Sequence, residues 1–206
     1  MKKFVFLHIP KTAGVSIYWT LEDLLTDISG DLRHNVIKAG DPRSVFYSHV
    51  PTWKLMQEKN ISPDYIKEAV VFFCLRNVWQ RFVSLFYYLN LENKGLHWTI
   101  MEYAERLLKA DKDIHNLGHP HSYWLRDIDH AIAIPLGSGM QKSFNKVCKI
   151  IEIELRELQH RNMNKNYRMT HAEVYRQNPG LKEIVAEIYQ EDIDRFGQTF
   201  PYGDNI

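Results

Sequence analysis

The chain has 206 residues, of which 45% are hydrophobic, enough for one substantial core, so we expect a single domain over residues 1–206. Lysine and arginine total 26 against 25 aspartate and glutamate residues, and this balance excludes the broad basic surface typical of nucleic-acid binding. Any anion site must therefore be local.

The start of the chain has no pattern for membrane insertion. The apolar run at residues 4–9 is short and ends at Pro10, so neither a signal peptide nor a membrane-spanning helix fits. Cys74 and Cys148 lack the count and spacing of a disulfide framework or a zinc site, and both are expected in the core. We therefore expect a cytoplasmic protein with reduced cysteines.

The first half of the chain alternates between predicted strands and helices. Residues 4–9 are apolar without alternation, which predicts a central parallel strand buried on both faces. Apolar residues at helical spacing predict a helix from Ile17 to Ile28 that ends near Gly30. Residues 44–50 predict a shorter strand. The apolar run at residues 69–75 predicts another buried strand.

Helical patterns dominate the rest of the chain. An apolar face at residues 82–89 predicts a helix, and residues 99–102 have the spacing of a capping box ahead of another. An apolar stripe over residues 144–158 predicts one long helix. The last predicted helix covers residues 181–196, with Gly197 beyond its end.

These elements predict an α/β fold, a three-layer, P-loop-like domain. In it, a central, mainly parallel sheet is flanked by helices, and the C-terminal half is helical. Ligands of such folds bind beyond the carboxyl ends of the strands, so the segments that follow the two buried strands are the candidate sites.

The first candidate site joins a predicted strand to a predicted helix between His8 and Ser16. Backbone N–H groups and the helix dipole can converge there on an anion, with Lys11 adding charge and the hydroxyls of Thr12 and Ser16 donating to oxygens. The spacing is not that of a Walker A motif, because the lysine precedes Gly14 and the second glycine is missing. A phosphate-loop kinase or nucleotide hydrolase is therefore the weaker alternative.

The second candidate site begins at Arg76, where the second buried strand ends. Arg76 can offer a two-pronged donor to a phosphate, and Ser84 can add a hydroxyl from the following helix. Taken alone, an arginine at a strand end and a serine on a helix suit a structural role better than a functional one.

Both segments resemble motifs of one family. The string HIPKTAGVS at residues 8–16 resembles the 5′-phosphosulfate loop of carbohydrate-type sulfotransferases, the group with heparan sulfate 2-O- and chondroitin 4-O-sulfotransferases. Arg76, Arg81 and Ser84 match the family's 3′-phosphate motif in place, whereas Asn77 stands for the usual aspartate and Val78 for the usual proline. Arg81 can also simply brace its helix.

The resemblance implies a sulfotransferase that moves a sulfuryl group from 3′-phosphoadenosine-5′-phosphosulfate (PAPS) to an acceptor hydroxyl by in-line transfer. The implied acceptor is a carbohydrate or glycan-like molecule, and no metal is implied. Two phosphate motifs suit a nucleotide with charged groups on both sides of its ribose, whereas ATP needs only one. The implied nucleotide-binding residues are Pro10, Lys11, Thr12, Ala13, Gly14, Val15, Ser16, Arg76, Ser84, Lys165 and Arg168.

Two residues are implied in the chemistry itself. Lys11 is expected to stabilise charge on the leaving phosphate, and His49 is our candidate general base. The sequence around His49 resembles the segment with the catalytic histidine in several family members, while a core or surface histidine is an equal alternative. Glu22 or Asp23 could act as the base only if the first helix bends into the cleft, and His8 is expected to be structural.

One further segment matches the family, and one further function remains as an alternative. Residues 120–125 resemble a Pro-Gln-Ser-Tyr segment of the family, with His121 in place of glutamine. A non-catalytic nucleotide-binding protein that keeps the fold is a second alternative to the enzyme.

Overall fold

The computed structural model describes residues 1–27, 44–48, 53, 56–57, 62–91, 98–109, 117–159 and 169–203. The chain forms two compact units, the first made of Met1–Leu75 and Tyr123–Met163 and the second of Arg76–Ser122 and Asn164–Ile206. The single domain expected from the sequence stays a prediction.

The first unit contains a five-stranded parallel sheet with the order β2-β3-β1-β4-β5. The central strand β1 lies between β3 and β4, and all five of its residues are buried, which confirms the central parallel strand predicted from its unbroken apolar run. β5 was not predicted. The strands are Phe4–His8 (β1), Thr26–Asp27 (β2), Ser44–Ser48 (β3), Val70–Leu75 (β4) and Ile132–Pro135 (β5).

The described residues also contain nine helices. They are Gly14–Leu21 (α1), Pro63–Glu68 (α2), Val78–Leu91 (α3), Ile100–Leu108 (α4), His121–Trp124 (α5), Met140–Ile150 (α6), His171–Gln177 (α7), Leu181–Ile188 (α8) and Gln190–Phe196 (α9). Within this part of the chain, none of them has the length and apolar character needed to cross a membrane. The predicted layering of helices on both faces of the sheet stays a prediction.

α1 is shorter than predicted. It ends at Leu21, and the chain turns so that Leu25 is buried outside the helix before β2 begins at Thr26. The predicted helix is therefore wrong beyond Leu21. Its predicted end, at Ile28 and Gly30, lies outside the described residues.

The two later helices also differ from the prediction. α6 ends at Ile150 because Glu152 adopts a left-handed backbone conformation, with φ of 60°, and the chain beyond it is not helical. The helix predicted over residues 181–196 is divided into α8 and α9 at Tyr189, whose φ of −114° lies outside the helical region. Gly197 lies at the end of α9, as predicted, and adopts a left-handed conformation.

Each unit has an apolar core of its own. In the first unit α1 and α6 share a core with Phe4 and Phe6 of β1 and Phe72 of β4, and Cys74 and Cys148 are both buried and free, as expected. In the second unit α3, α4 and α8 share a core around Phe82 and Tyr103. The capping box predicted at Thr99 is present at the start of α4.

Candidate functional site

The loop between β1 and α1 turns at two residues with positive φ. Lys11 has a φ of 62° and Ala13 a φ of 66°, a conformation that costs a residue with a Cβ on the order of 1 kcal/mol. α1 begins at Gly14, and its N-cap residue, Ala13, gives no side-chain hydrogen bond to the first turn. A helix N-terminus at the carboxyl end of a central parallel strand is the kind of backbone that binds an anion.

Gly14 lies directly against His8. A Cβ at residue 14 would lie 2.1 Å from Cδ2 of the His8 imidazole, so a larger residue does not fit without displacing the ring. The imidazole is buried and stacks on Phe6, with the ring centroids 6.1 Å apart. His8 therefore fixes how closely the loop approaches β1, which fits the structural role predicted for it.

The side chains of the loop differ in what they can offer. The hydroxyl of the fully buried Thr12 donates to the Ile9 carbonyl at 2.8 Å, and its predicted role as a phosphate donor stays a prediction. Ser16 is buried and its backbone N–H donates to the Ala13 carbonyl at 3.0 Å, whereas Lys11 is half-buried. The structure brings the predicted residues 10–16 together in one turn at the end of β1.

Of the two alternative bases, Asp23 is held in an ion pair. Arg156 binds both carboxylate oxygens of Asp23, with Nη2 to Oδ2 at 2.8 Å, and also donates to the Thr20 carbonyl at 2.9 Å. These hydrogen bonds hold the pKa of Asp23 below its ordinary value. Glu22 sits at the C-cap of α1, because the helix ends before it. The candidate base His49, like Lys165 and Arg168, lies outside the described residues.

The second candidate site lies in the second unit, which begins at Arg76. Asn77 caps α3, since its Oδ1 accepts from the N–H of Gln80 at 3.4 Å and its carbonyl accepts from the N–H of Arg81 at 2.8 Å. Asparagine and aspartate cap helices about equally well, so the departure at residue 77 keeps the turn intact.

The turn is also held by a segment far along the chain. The N–H of Val78 donates to Oε1 of Gln198 at 2.7 Å, and Nε2 of Gln198 donates to the Arg76 carbonyl at 3.5 Å. Nδ2 of Asn77 donates to the Thr199 carbonyl at 2.9 Å. Sequence reasoning missed Gln198 and Thr199, and no local pattern marks them.

A buried pair of His121 and Asp192 supports the same turn. Oδ2 of Asp192 contacts Nδ1 of His121 at 2.7 Å and accepts from its backbone N–H at 2.6 Å, while Oδ1 accepts from the N–H of Ser122 at 2.8 Å. Nε2 of His121 accepts a long hydrogen bond, 3.5 Å, from the N–H of Arg76. The ring is therefore neutral, with its proton on Nδ1.

Burial and hydrogen bonding agree with these protonation states. Burial lowers the pKa of His121, and the positive charge of Arg81 acts in the same direction, against the effect of Asp192. Burial alone would raise the pKa of Asp192, but the hydrogen bonds from His121 and Ser122 bring it below the ordinary value. Asp192 was missed, although it falls on the helical stripe that also carries Val185, Tyr189 and Phe196.

The remaining residues of the 3′-phosphate motif are more deeply placed than Arg76. Arg76 is half-buried, whereas Ser84 is only 1% exposed and its role as a ligand stays a prediction. Arg81 is fully buried and donates to the carbonyls of His119 at 2.7 Å and Leu117 at 3.0 Å, so it braces this segment. Among the residues that the structure describes, no group of three or more potential ligands is placed to hold a metal ion.

Comparisons with known proteins give matches among solved structures alone. No protein-family model matches this chain, and no curated protein matches it significantly. A sulfotransferase from Alicyclobacillus acidocaldarius matches with a TM-score of 0.56 and 10% identity over 97% of each chain. The mouse sulfotransferase SULT7A1, complexed with PAP, matches with a TM-score of 0.50 and 15% identity over 93% of this chain and 65% of that one. The chain therefore has the fold of these sulfotransferase structures.

Proposed function

We propose that this chain is a sulfotransferase that moves a sulfuryl group from PAPS to the hydroxyl of a carbohydrate or glycan-like acceptor. The observation that carries the proposal is the turn from β1 into α1, where Lys11 precedes the start of a helix at the end of a central parallel strand. The likeness in fold to two sulfotransferases, one of them complexed with PAP, supports the same choice of donor.

In this proposal each of the two motifs binds one of the two charged groups of the donor nucleotide. The amides of residues 13–15, with Lys11 and the hydroxyl of Ser16, bind the 5′-phosphosulfate, and Arg76 with Ser84 binds the 3′-phosphate. Lys165 and Arg168 add positive charge near the nucleotide. No metal ion is required, because fixed protein donors neutralise the phosphate oxygens.

The transfer itself asks little covalent work of the protein. The acceptor oxygen forms a bond to sulfur as the bond from sulfur to the bridging phosphate oxygen breaks, and the bisphosphate leaves with the electron pair. Lys11 stabilises the charge that develops on the leaving oxygen. His49 takes the proton of the acceptor hydroxyl.

Titration calorimetry with adenosine 3′,5′-bisphosphate and with ATP plus magnesium tests the proposal. We expect the wild type to bind the bisphosphate more tightly, without magnesium. Arg76→Ala should weaken this binding by about 1.5–3 kcal/mol, the value of a hydrogen bond to a charged group, and Lys11→Ala should also weaken it. His49→Ala should bind normally and lose transfer. Arg126→Ala, which removes an arginine side chain that is 67% exposed, is the matched control and should bind as the wild type does.

Two results would contradict the proposal. Equal or tighter binding of magnesium-ATP would favour a kinase or nucleotide hydrolase instead. Tight bisphosphate binding with no release of bisphosphate from PAPS, across a panel of hydroxyl acceptors, would favour a non-catalytic nucleotide-binding protein.

A further inference from the structure

The Arg76 turn carries two hydrogen-bond donors that an Asp-Pro sequence would lack, and both are used. One is the backbone N–H of Val78, which donates to Gln198, and the other is the side-chain amide of Asn77, which donates to Thr199. Proline at the first position of a helix has no N–H and a fixed φ, so it needs no partner there. Valine leaves the φ freer and its donor in need of an acceptor.

Gln198 meets that need with one side-chain amide. Its Oε1 accepts from Val78 at 2.7 Å, and its Nε2 donates to the Arg76 carbonyl at 3.5 Å. The same amide therefore contacts the residues on both sides of Asn77. In this way it ties the backbone of Arg76 to the start of α3, whereas a proline at residue 78 would restrict the turn by fixing its own φ and limiting residue 77.

The segment at residues 198–202, which carries Gln198, is itself fixed in place. Gly197 ends α9 with a φ of 59°, and the N–H of Gln198 donates to the Ile193 carbonyl at 3.1 Å. The ring of Phe200 then packs edge-on against Trp79 of α3, with centroids 5.5 Å apart. The Gln198 side chain thus extends from a backbone held on both sides.

We propose that Gln198 is a positioning residue for Arg76. By fixing the Arg76 backbone it presets the direction in which the side chain leaves Cα, so that less conformational freedom is lost when an anion binds. The anion is the 3′-phosphate of the nucleotide, and this identity rests on the proposed function. Gln198 itself need not touch the ligand.

A double-mutant cycle of Gln198→Ala and Val78→Pro tests this role. The measured quantity is the preference for adenosine 3′,5′-bisphosphate over adenosine 5′-monophosphate, obtained from two calorimetric dissociation constants, because only the 3′-phosphate depends on Arg76. Gln198→Ala should lower this preference about tenfold, the loss expected from a backbone hydrogen bond and its ordering. In the Val78→Pro background, Gln198→Ala should change the preference by less than about twofold, since proline has no N–H to satisfy.

Controls separate positioning from a general loss of stability. Gln190→Ala removes another glutamine of the second unit, whose amide bonds Asp194 at 2.8 Å, and should leave the preference unchanged. Thermal unfolding checks that each variant is folded. Gln198→Met keeps the length of the side chain without its polar atoms, so it should lower the preference for the bisphosphate as Gln198→Ala does.

The outcomes are distinct. If Gln198→Ala keeps the preference, or weakens both nucleotides equally, or acts the same with Val78→Pro, the positioning role is overturned while the proposed function stands. If the wild type does not prefer the bisphosphate, the proposed function fails first, and the role of Gln198 fails with it.

Discussion

The loop at residues 10–16 and the turn at Arg76 are both predicted anion sites, but they are held in different ways. In the loop, two residues with positive φ and the contact of Gly14 with His8 shape the backbone. At the turn, hydrogen bonds from distant parts of the chain set the backbone, such as the one between Val78 and Gln198, which are 120 residues apart.

This difference decides which substitutions each site tolerates. A locally encoded loop depends on a few of its own residues and should be insensitive to changes elsewhere. A turn that is supported by remote side chains can be damaged by substitutions that never contact a ligand. Substituting one residue that shapes the backbone of the loop and one that shapes the backbone of the turn tests this difference.

The largest effect is expected at Asp192, beneath the turn. Asp192→Ala leaves two backbone N–H groups and the Nδ1–H of His121 without their acceptor in a fully buried place. Because each unsatisfied buried donor costs on the order of 1–3 kcal/mol, the free energy of unfolding should fall by about 3 kcal/mol or more in urea denaturation. Asp194→Ala, in the same helix but exposed, is the control, with a change below about 0.5 kcal/mol. A comparable loss in both variants would argue against a special role for Asp192.

A smaller effect is expected for Gly14→Ala in the loop. The new methyl group would overlap the His8 imidazole, and overpacking of this kind costs about 1–3 kcal/mol in the free energy of unfolding, measured by chemical denaturation. The double variant with His8→Ala makes room for the methyl group and should recover part of the loss. Unchanged stability in the single variant would mean that the ring moves aside, and that the loop is less fixed than its backbone indicates.

The same difference explains what the sequence predicts. β1, β4 and the capping box at Thr99 depend on neighbouring residues, and the structure confirms all three. The loop was also visible, because its strand, lysine and glycine are contiguous. The ends of α1 and α6 could not be predicted from the sequence. Leu25 and Leu158 are buried and continue the apolar spacing of a helix after each helix has ended.

Residues that act across the sequence could not be found in the same way. β5 has only four residues, too few to distinguish from a loop by their sequence pattern. It forms a strand by pairing with β4, which is distant in the sequence. Gln198 has no local signature, because its role depends on meeting the N–H of Val78. Asp192 did leave a signal, a carboxylate on an apolar helical stripe, which implies a buried partner.

The smallest expected effect is a pH dependence of the free energy of unfolding, caused by a histidine near Arg76. Burial, with the positive charge of Arg76, lowers the pKa of the half-buried His171 to about 4. The unfolded chain has the ordinary value near 6.5, so between these two values the folded state binds fewer protons, and stability falls as the pH falls. Solvent screening limits the contribution of His171 to at most about 1 kcal/mol. The lowered pKa of His121 acts in the same direction.

Urea denaturation between pH 7 and pH 4 measures this loss, and His171→Gln should make it smaller. Adenosine 3′,5′-bisphosphate should reduce it as well, because a phosphate bound at Arg76 offsets the charge that lowers the pKa of His171. The reduction should disappear in Arg76→Ala, whereas Lys11→Ala, in the loop, should keep it once the nucleotide is saturating. An equal response in the two variants would mean that the 3′-phosphate does not bind beside His171, and the turn would lose its claim to be the second anion site.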